Sequence, residues 1–171
     1  MNILQTLKYT SFFLAFLVAG CGGSGSTSGT GTDSSTTYNG TITQVYIPDA
    51  AGRQELNSAV ATCSFSGDVT AHINDDGSVT ITNSNMGGQN SATCAILSEI
   101  YNASFSGSAN GTSYQATASA SGPHTSMNGQ ISGTYDASTI TGTGSGTITA
   151  TTPAGVTVNF SASFSFQATV I

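Results

Sequence analysis

Residues 156–170 read Val-Thr-Val-Asn-Phe-Ser-Ala-Ser-Phe-Ser-Phe-Gln-Ala-Thr-Val. Val156, Val158, Phe160, Ala162, Phe164, Phe166, Ala168 and Val170 fall on one side, and every residue between them is Thr, Asn, Ser or Gln. A period of two sustained this long marks a half-buried β-strand; a helix would repeat its apolar residues every three to four positions. Thr suits extended backbone, and Ser and Thr hydroxyls can face water.

The same alternation recurs upstream. In 62–74, Cys63, Phe65, Gly67, Val69, Ala71 and Ile73 alternate with polar residues. Further strands are predicted over 78–84 (Val79, Ile81), 100–109 (Tyr101, Ala103, Phe105, Ala109) and 112–120 (Tyr114, Ala116, Ala118, Ala120). Two more follow over 127–135 (Met127, Ile131, Tyr135) and 139–150 (Ile140, Ile148, Ala150). A first strand near 39–47 mixes its faces, with Ile42, Val45, Tyr46 and Ile47. Asp76-Gly77 and Asn110-Gly111 are two-residue hairpin signals, because type I′ turns need positive φ at both central residues. Residues 136–138 and 152–155 are the next turns. Two connections are longer: 48–60, room for one helical turn, and the polar, Gly-rich 84–93. Short links make sequential strands antiparallel. The expected fold is all-β: an antiparallel up-and-down meander of about eight strands closed into a small barrel, with a two-layer β-sandwich as the alternative.

The inward register is unusually small. Gly67, Gly107, Gly129, Gly133, Gly142, Gly144 and Gly146 all fall in it. Glycine weakens a strand but is used where a barrel bends or an aromatic ring lies over bare backbone. Phe65, Phe105, Tyr114, Tyr135, Phe160, Phe164 and Phe166 are available to cover it.

Composition narrows the function classes. Among 171 residues there are 53 Ser and Thr, 21 Gly, 2 basic and 8 acidic residues, and no Trp. Two basic residues cannot neutralise a nucleic-acid backbone, so no nucleic-acid partner is expected. The chain also lacks the Ala, Glu, Lys and Leu bias of helical bundles. With 37% apolar residues and a net charge of -6, it does not fit charge-driven disorder.

The N-terminal segment carries Lys8 and then an apolar run over 12–19, too short to span a bilayer but the length of a secretory signal. Val18-Ala19-Gly20-Cys21 closes it. These four residues resemble the lipobox of bacterial lipoproteins: an aliphatic residue, two small residues, then Cys. The resemblance covers residues 1–21. It implies removal of a signal peptide, 1–20, and lipidation at Cys21, with palmitate among the acyl chains. It further implies membrane attachment in the bacterial cell envelope. Gly22 rather than Asp after the Cys leans toward the outer membrane over the inner. Two or three acyl chains hold far better than one. Residues 22–37 contain no apolar residue and read as a flexible Gly/Ser/Thr tether. The expected β-domain is therefore 38–171.

With Cys21 acylated, Cys63 and Cys94 remain, and an even pair in an exported protein reads as one disulfide. His72 lies near Asp75 and Asp76, but Asn-Asp-Asp-Gly is turn chemistry and lacks the closing Glu of a calcium loop. His124 sits in the 121–126 loop without a nucleophile motif around it. Gly142-x-Gly144-x-Gly146 lies inside a strand and does not open a helix, so it is not a phosphate loop. No catalytic residue, no metal ligand and no cofactor is expected. The sequence reading is a lipid-anchored envelope protein with a binding or structural β-module, partnered with the membrane and with a small apolar ligand or an envelope protein. A small transmembrane β-barrel is the alternative, and an envelope enzyme comes last.

Overall fold

The computed structural model describes residues 35–56, 62–88 and 92–171. The expected signal peptide, Cys21 and all but the end of the tether lie outside the described residues. Among the described residues there are eight strands: β1 (Ser35–Pro48), β2 (Cys63–Asn74), β3 (Ser78–Gly88), β4 (Phe105–Asn110), β5 (Ser113–Ser121), β6 (Thr125–Tyr135), β7 (Thr139–Thr151) and β8 (Thr157–Val170). Each pairs antiparallel with the next, and β8 pairs back onto β1, with Ile42 opposite Phe166. The meander is a closed barrel and not a sandwich. Two helical pieces, α1 (Ala50–Glu55) and α2 (Ala92–Ala95), and a 3-10 helix (Ile96–Ile100) fill the long connections.

The alternation in β8 is realised as predicted: Val158, Phe160, Ala162, Phe164, Phe166 and Ala168 are buried, and Thr157 through Thr169 on the odd positions are exposed. Val170 lies beyond the buried register and is exposed. The mixed pattern of β1 sorts itself by parity. Tyr38, Ile42, Gln44, Tyr46 and Pro48 point in, while Val45 and Ile47 point out. A buried Gln interrupts the expected apolar face, and its Oε1 accepts from the Tyr46 hydroxyl. β1 also starts earlier than the predicted 39–47. Ser35-Thr36-Thr37 pair with Asn74-Ile73-His72, so the polar end of the tether reading is strand.

Two other boundaries differ. The predicted strand 100–109 begins only at Phe105, because Ile96–Ile100 winds as a 3-10 helix that buries Leu97 and Ile100. The predicted loop 84–93 is strand as far as Gly88. A register shift between Ser66 and Asp68 puts an irregularity at Gly67, where an added Cβ would meet Met86 Sδ and Ser84 O at 2.6 Å. A bulge of this kind bends the strand and re-aims the side chains beyond it.

The interior is occupied by Tyr38, Tyr46, Phe65, Phe105, Tyr114, Phe160, Phe164 and Phe166 with Ile, Val, Ala and Met127 between them. The glycines of the inward register divide into two kinds. Gly129 and Gly146 lie under the Phe164 ring, whose Cε2 would sit 3.1 and 3.3 Å from an added Cβ, and at Gly146 that Cβ would also strike Asn128 O of the adjacent strand at 2.6 Å. Gly142 lies under Tyr114 and Phe166 in the same way. Aromatic-on-glycine packing therefore holds at these three positions. At Gly107, Gly133 and Gly144 the obstacle is different: an added Cβ would strike backbone of the adjacent strand, at Gln115, Thr141 and Gln130. These are close backbone approaches, the bends that a narrow barrel needs.

Two substitutions separate the roles. Phe164→Ala empties the space above two glycines and is expected to cost about 3–5 kcal/mol in chemical denaturation. Gly133→Ala leaves the core volume intact but forces two strands apart. It should destabilise as well, while the same change at Gly111, in a hairpin with open space around it, reports only the φ of +62°.

Candidate functional site

The meander sorts its connections between two ends. Ser35, the Asn74–Ser78 turn, the Asn110–Ser113 turn, the Tyr135–Thr139 turn and Val170 share one end, as the pairings Ser35↔Asn74, Asn110↔Ser113 and Tyr38↔Val170 require. Every long connection lies at the other end, beside Pro48, Cys63, Gly88, Phe105, Ser121 and Thr151. The loop-bearing end is where sizeable non-strand surface is available for recognition.

That end is held by covalent and polar bonds. Cys63, the first residue of β2, is disulfide-bonded to Cys94, with Cα atoms 5.6 Å apart, as the cysteine count predicts. Both cysteines are buried. The bond fixes the helical connection over the barrel mouth. Tyr101 then packs its ring on Phe65 at 4.3 Å, donates its hydroxyl to Cys94 O at 3.1 Å and accepts at its own carbonyl from Asn83 Nδ2. Phe65 meets Tyr46 in turn at 5.7 Å. Burial raises the phenol pKa of both tyrosines, and Tyr101 adds to the effect at Tyr46. These groups plug the barrel from within.

On the outer side of the plug stands Glu99, which the sequence reading did not single out. Its Oε2 accepts from the His124 backbone N–H and from Thr125 Oγ1, both at 2.9 Å, and its Oε1 faces His124 Nδ1 at 3.0 Å. A carboxylate only accepts, so Nδ1 carries the proton in that bond. The bonds from His124 and Thr125 hold the Glu99 carboxyl below its ordinary value. One residue thus ties the 3-10 helix to the β5–β6 connection. A cleft of ≈ 510 Å³ opens beside it, walled by Leu56, Ile96, Pro153 and Thr151, with Glu99 and His124 at its rim. The sequence signal for Glu99 was faint: Ile96, Leu97 and Ile100 have helical spacing, and the acid sits between them.

The other candidates are dispersed. His72 is half-buried in β2 with Nδ1 2.9 Å from Thr37 Oγ1, close to the tight-turn end and far in the barrel from His124. Asp76 Oδ1 accepts from the Ser78 N–H at 2.7 Å, and Gly77 takes φ +80°, so the Asp-Asp-Gly segment is a turn. Asp136 does the same for Ser138 and Thr139, and their donors bring its pKa down to about 2. Among the described residues no three His, Cys, Asp or Glu groups converge as metal ligands. Gly142, Gly144 and Gly146 lie within β7.

No family model and no curated protein matches the chain. Among solved structures, it is similar to a single-site mutant of the vaccine antigen transferrin binding protein B from Haemophilus parasuis Hp5. The identity is 12% and the TM-score 0.41, with 81% of this chain and 27% of that chain covered. The chain thus spans about a quarter of the length of that protein.

Two outcomes are expected from these bonds. Replacing Cys63 and Cys94 by Ala removes a link between residues 31 apart and should cost about 3–4 kcal/mol, read as a lower Tm and as protease cleavage within 89–104. The carboxyls of Glu99 and Asp136 have folded values below their unfolded ones, so their contribution is present above the unfolded pKa and is lost as pH falls through the folded one. Stability should therefore drop on acidification, with the Asp136 part lost between 3.8 and about 2. Glu99→Gln should flatten the upper part of that acid limb in denaturation curves, and Asp136→Asn the lower part.

Proposed function

We propose that this chain is a lipid-anchored protein of the bacterial cell envelope, more at home on the outer than the inner membrane, and that its barrel is a non-catalytic binding or structural module. The observation that carries the reading is the barrel's polarity. Its outer surface is built of Thr, Ser, Asn and Gln and its interior of aromatic and aliphatic residues. A transmembrane barrel needs the inverse, an outward apolar band flanked by aromatic girdles. A barrel with water on its outside needs a separate device to stay at a membrane, and Cys21 in its lipobox setting supplies one.

The geometry of the two ends agrees with this arrangement. β1 begins at Ser35, at the tight-turn end, where Asp75, Asp76 and Asp136 stand, while Arg53 lies in α1 at the other end. Carboxylates are repelled by anionic headgroups, so an acidic base favours a domain held off the surface. The loop-bearing end with its plug and cleft then faces away from the membrane, where a partner can reach it. The aromatic residues occupying the interior weigh against an apolar ligand inside the barrel and in favour of recognition on its outside.

Palmitate labelling of the chain expressed in a bacterium tests the anchor. Incorporation that disappears in Cys21→Ala, together with loss of detergent-phase partition, is the expected outcome. Unlabelled protein that stays in the membrane would count for the transmembrane alternative.

A further inference from the structure

Of the eight strands only β2 contains a formally charged residue, Asp68. The other described charges, Asp49, Arg53, Glu55, Asp75, Asp76, Glu99 and Asp136, stand in turns and connections at the two ends. The wall from β4 through β7 is therefore a broad face without a single ion, on a chain whose net charge is -6.

The register turns this face into an ordered lattice. Ser119, Asn128 and Thr147 lie side by side across β5, β6 and β7; so do Thr117, Gln130 and Ser145, and then Gln115, Ser132 and Thr143. All nine side chains are exposed, and among the described residues none has a hydrogen-bond partner within the protein. Adjacent strands are about 4.8 Å apart and alternate outward residues about 6.6 Å along the strand, so the lattice repeats on the scale of a sugar ring. The face is also grooved. Three clefts of ≈ 740, ≈ 460 and ≈ 770 Å³ succeed one another along it, the first two sharing Thr117, Gln130 and Ser145 and the last two sharing Gln115 and Ser132. They adjoin as one shallow, solvent-open trough, with Gly133, Gly144 and Gly146 among the residues along it.

We propose that this trough is a docking surface for an uncharged polysaccharide. The chemistry of the face selects the class. Hydroxyls and primary amides both donate and accept, which matches a polymer whose hydroxyls do the same. An ionic polymer finds no counter-charge here. Protein interfaces concentrate aromatic residues, Met and Arg and are depleted in Ser, the reverse of this wall. The trough is open along its length, as a chain longer than the protein requires, and many weak contacts on one polymer sum to useful avidity. The proposal rests on the reading of the barrel as a binding module, and not on the anchor.

The test uses the full chain, extracted in detergent from the expressing bacterium and passed over insoluble cellulose, chitin and starch, with cation- and anion-exchange beads as controls. The expected result is retention on at least one neutral polysaccharide that high salt does not release and that soluble oligosaccharides of the same sugar compete away. Gln115→Ala with Gln130→Ala should weaken it about tenfold or more, because two amide contacts are lost. Gln130→Lys should weaken it too, while Ser66→Lys on β2 should not. All three variants change exposed residues, and unchanged thermal unfolding shows that the fold is intact. Passage through every neutral matrix, release by salt, or a folded double variant that binds undiminished overturns the proposal. Capture of a protein through this wall in place of a glycan would overturn it as well. If Cys21→Ala leaves the membrane but keeps its glycan retention, anchor and trough are separable, and failure of either reading is seen on its own.

Discussion

Closing eight strands into a barrel leaves an interior only wide enough for side chains, and that width is the constraint on which this structure depends. Eight buried aromatic rings must fit inside it. Several fit because they face glycine: Phe164 lies over Gly129 and Gly146, and Phe105 meets Phe164 edge-on at 5.3 Å. Tyr114 and Phe166 share the bare backbone of Gly142, and the Tyr114 hydroxyl crosses to Thr141 O at 3.0 Å. These rings supply the apolar area that the glycines beneath them cannot. Large and small residues across facing strands are thus one packing unit, and neither would stabilise a barrel of this width alone.

Strand content was legible because period-two alternation reports burial on one face directly. Register within the strands was legible for the same reason, and so was the disulfide, since two cysteines remain once Cys21 is read as the lipobox cysteine. Where the reading failed, a competing interaction decided. Tyr101 and Ala103 alternate with polar neighbours as a strand would, yet Leu97 and Ile100 gain burial over the barrel mouth and the Cys63–Cys94 bond holds that segment in place. The early start of β1 was hidden because Ser35-Thr36-Thr37 resemble the tether in composition; only the opposite strand, Asn74 to His72, distinguishes them. The inward glycines share one sequence signature, but neighbouring backbone blocks Gly133 and Gly144 while rings cover Gly129 and Gly142. Glu99 was invisible for the same kind of reason. Its partners His124 and Thr125 lie 25 and 26 residues away, and no local pattern joins them.

The surplus of Ser and Thr has two physical roles on the folded part. Along the strands, hydroxyls satisfy the outward side of a sheet without the mutual repulsion that rows of like charge would bring across neighbouring strands. In the turns, Ser78, Ser138 and Thr139 feed donors to Asp76 and Asp136, so these carboxylates serve to end strands. Acid–base chemistry is correspondingly scarce: among the described residues the one His–carboxylate contact, Glu99 with His124, is also a strap between two connections.

An even number of strands in an up-and-down barrel returns β8 to the end where β1 began. That parity gives the two ends different work. The end at which β1 begins has the tight turns, which need only two or three residues each and carry Asp75, Asp76 and Asp136. The opposite end inherits every connection long enough to hold a helix, a disulfide or a cleft. Between them the closed wall has no edge to pair with another chain, so it can remain uncharged and hydroxylated without inviting strand addition. Closure thereby permits an outer face that an open sheet could not safely expose, and it makes the wall, as much as the loops, available for recognition.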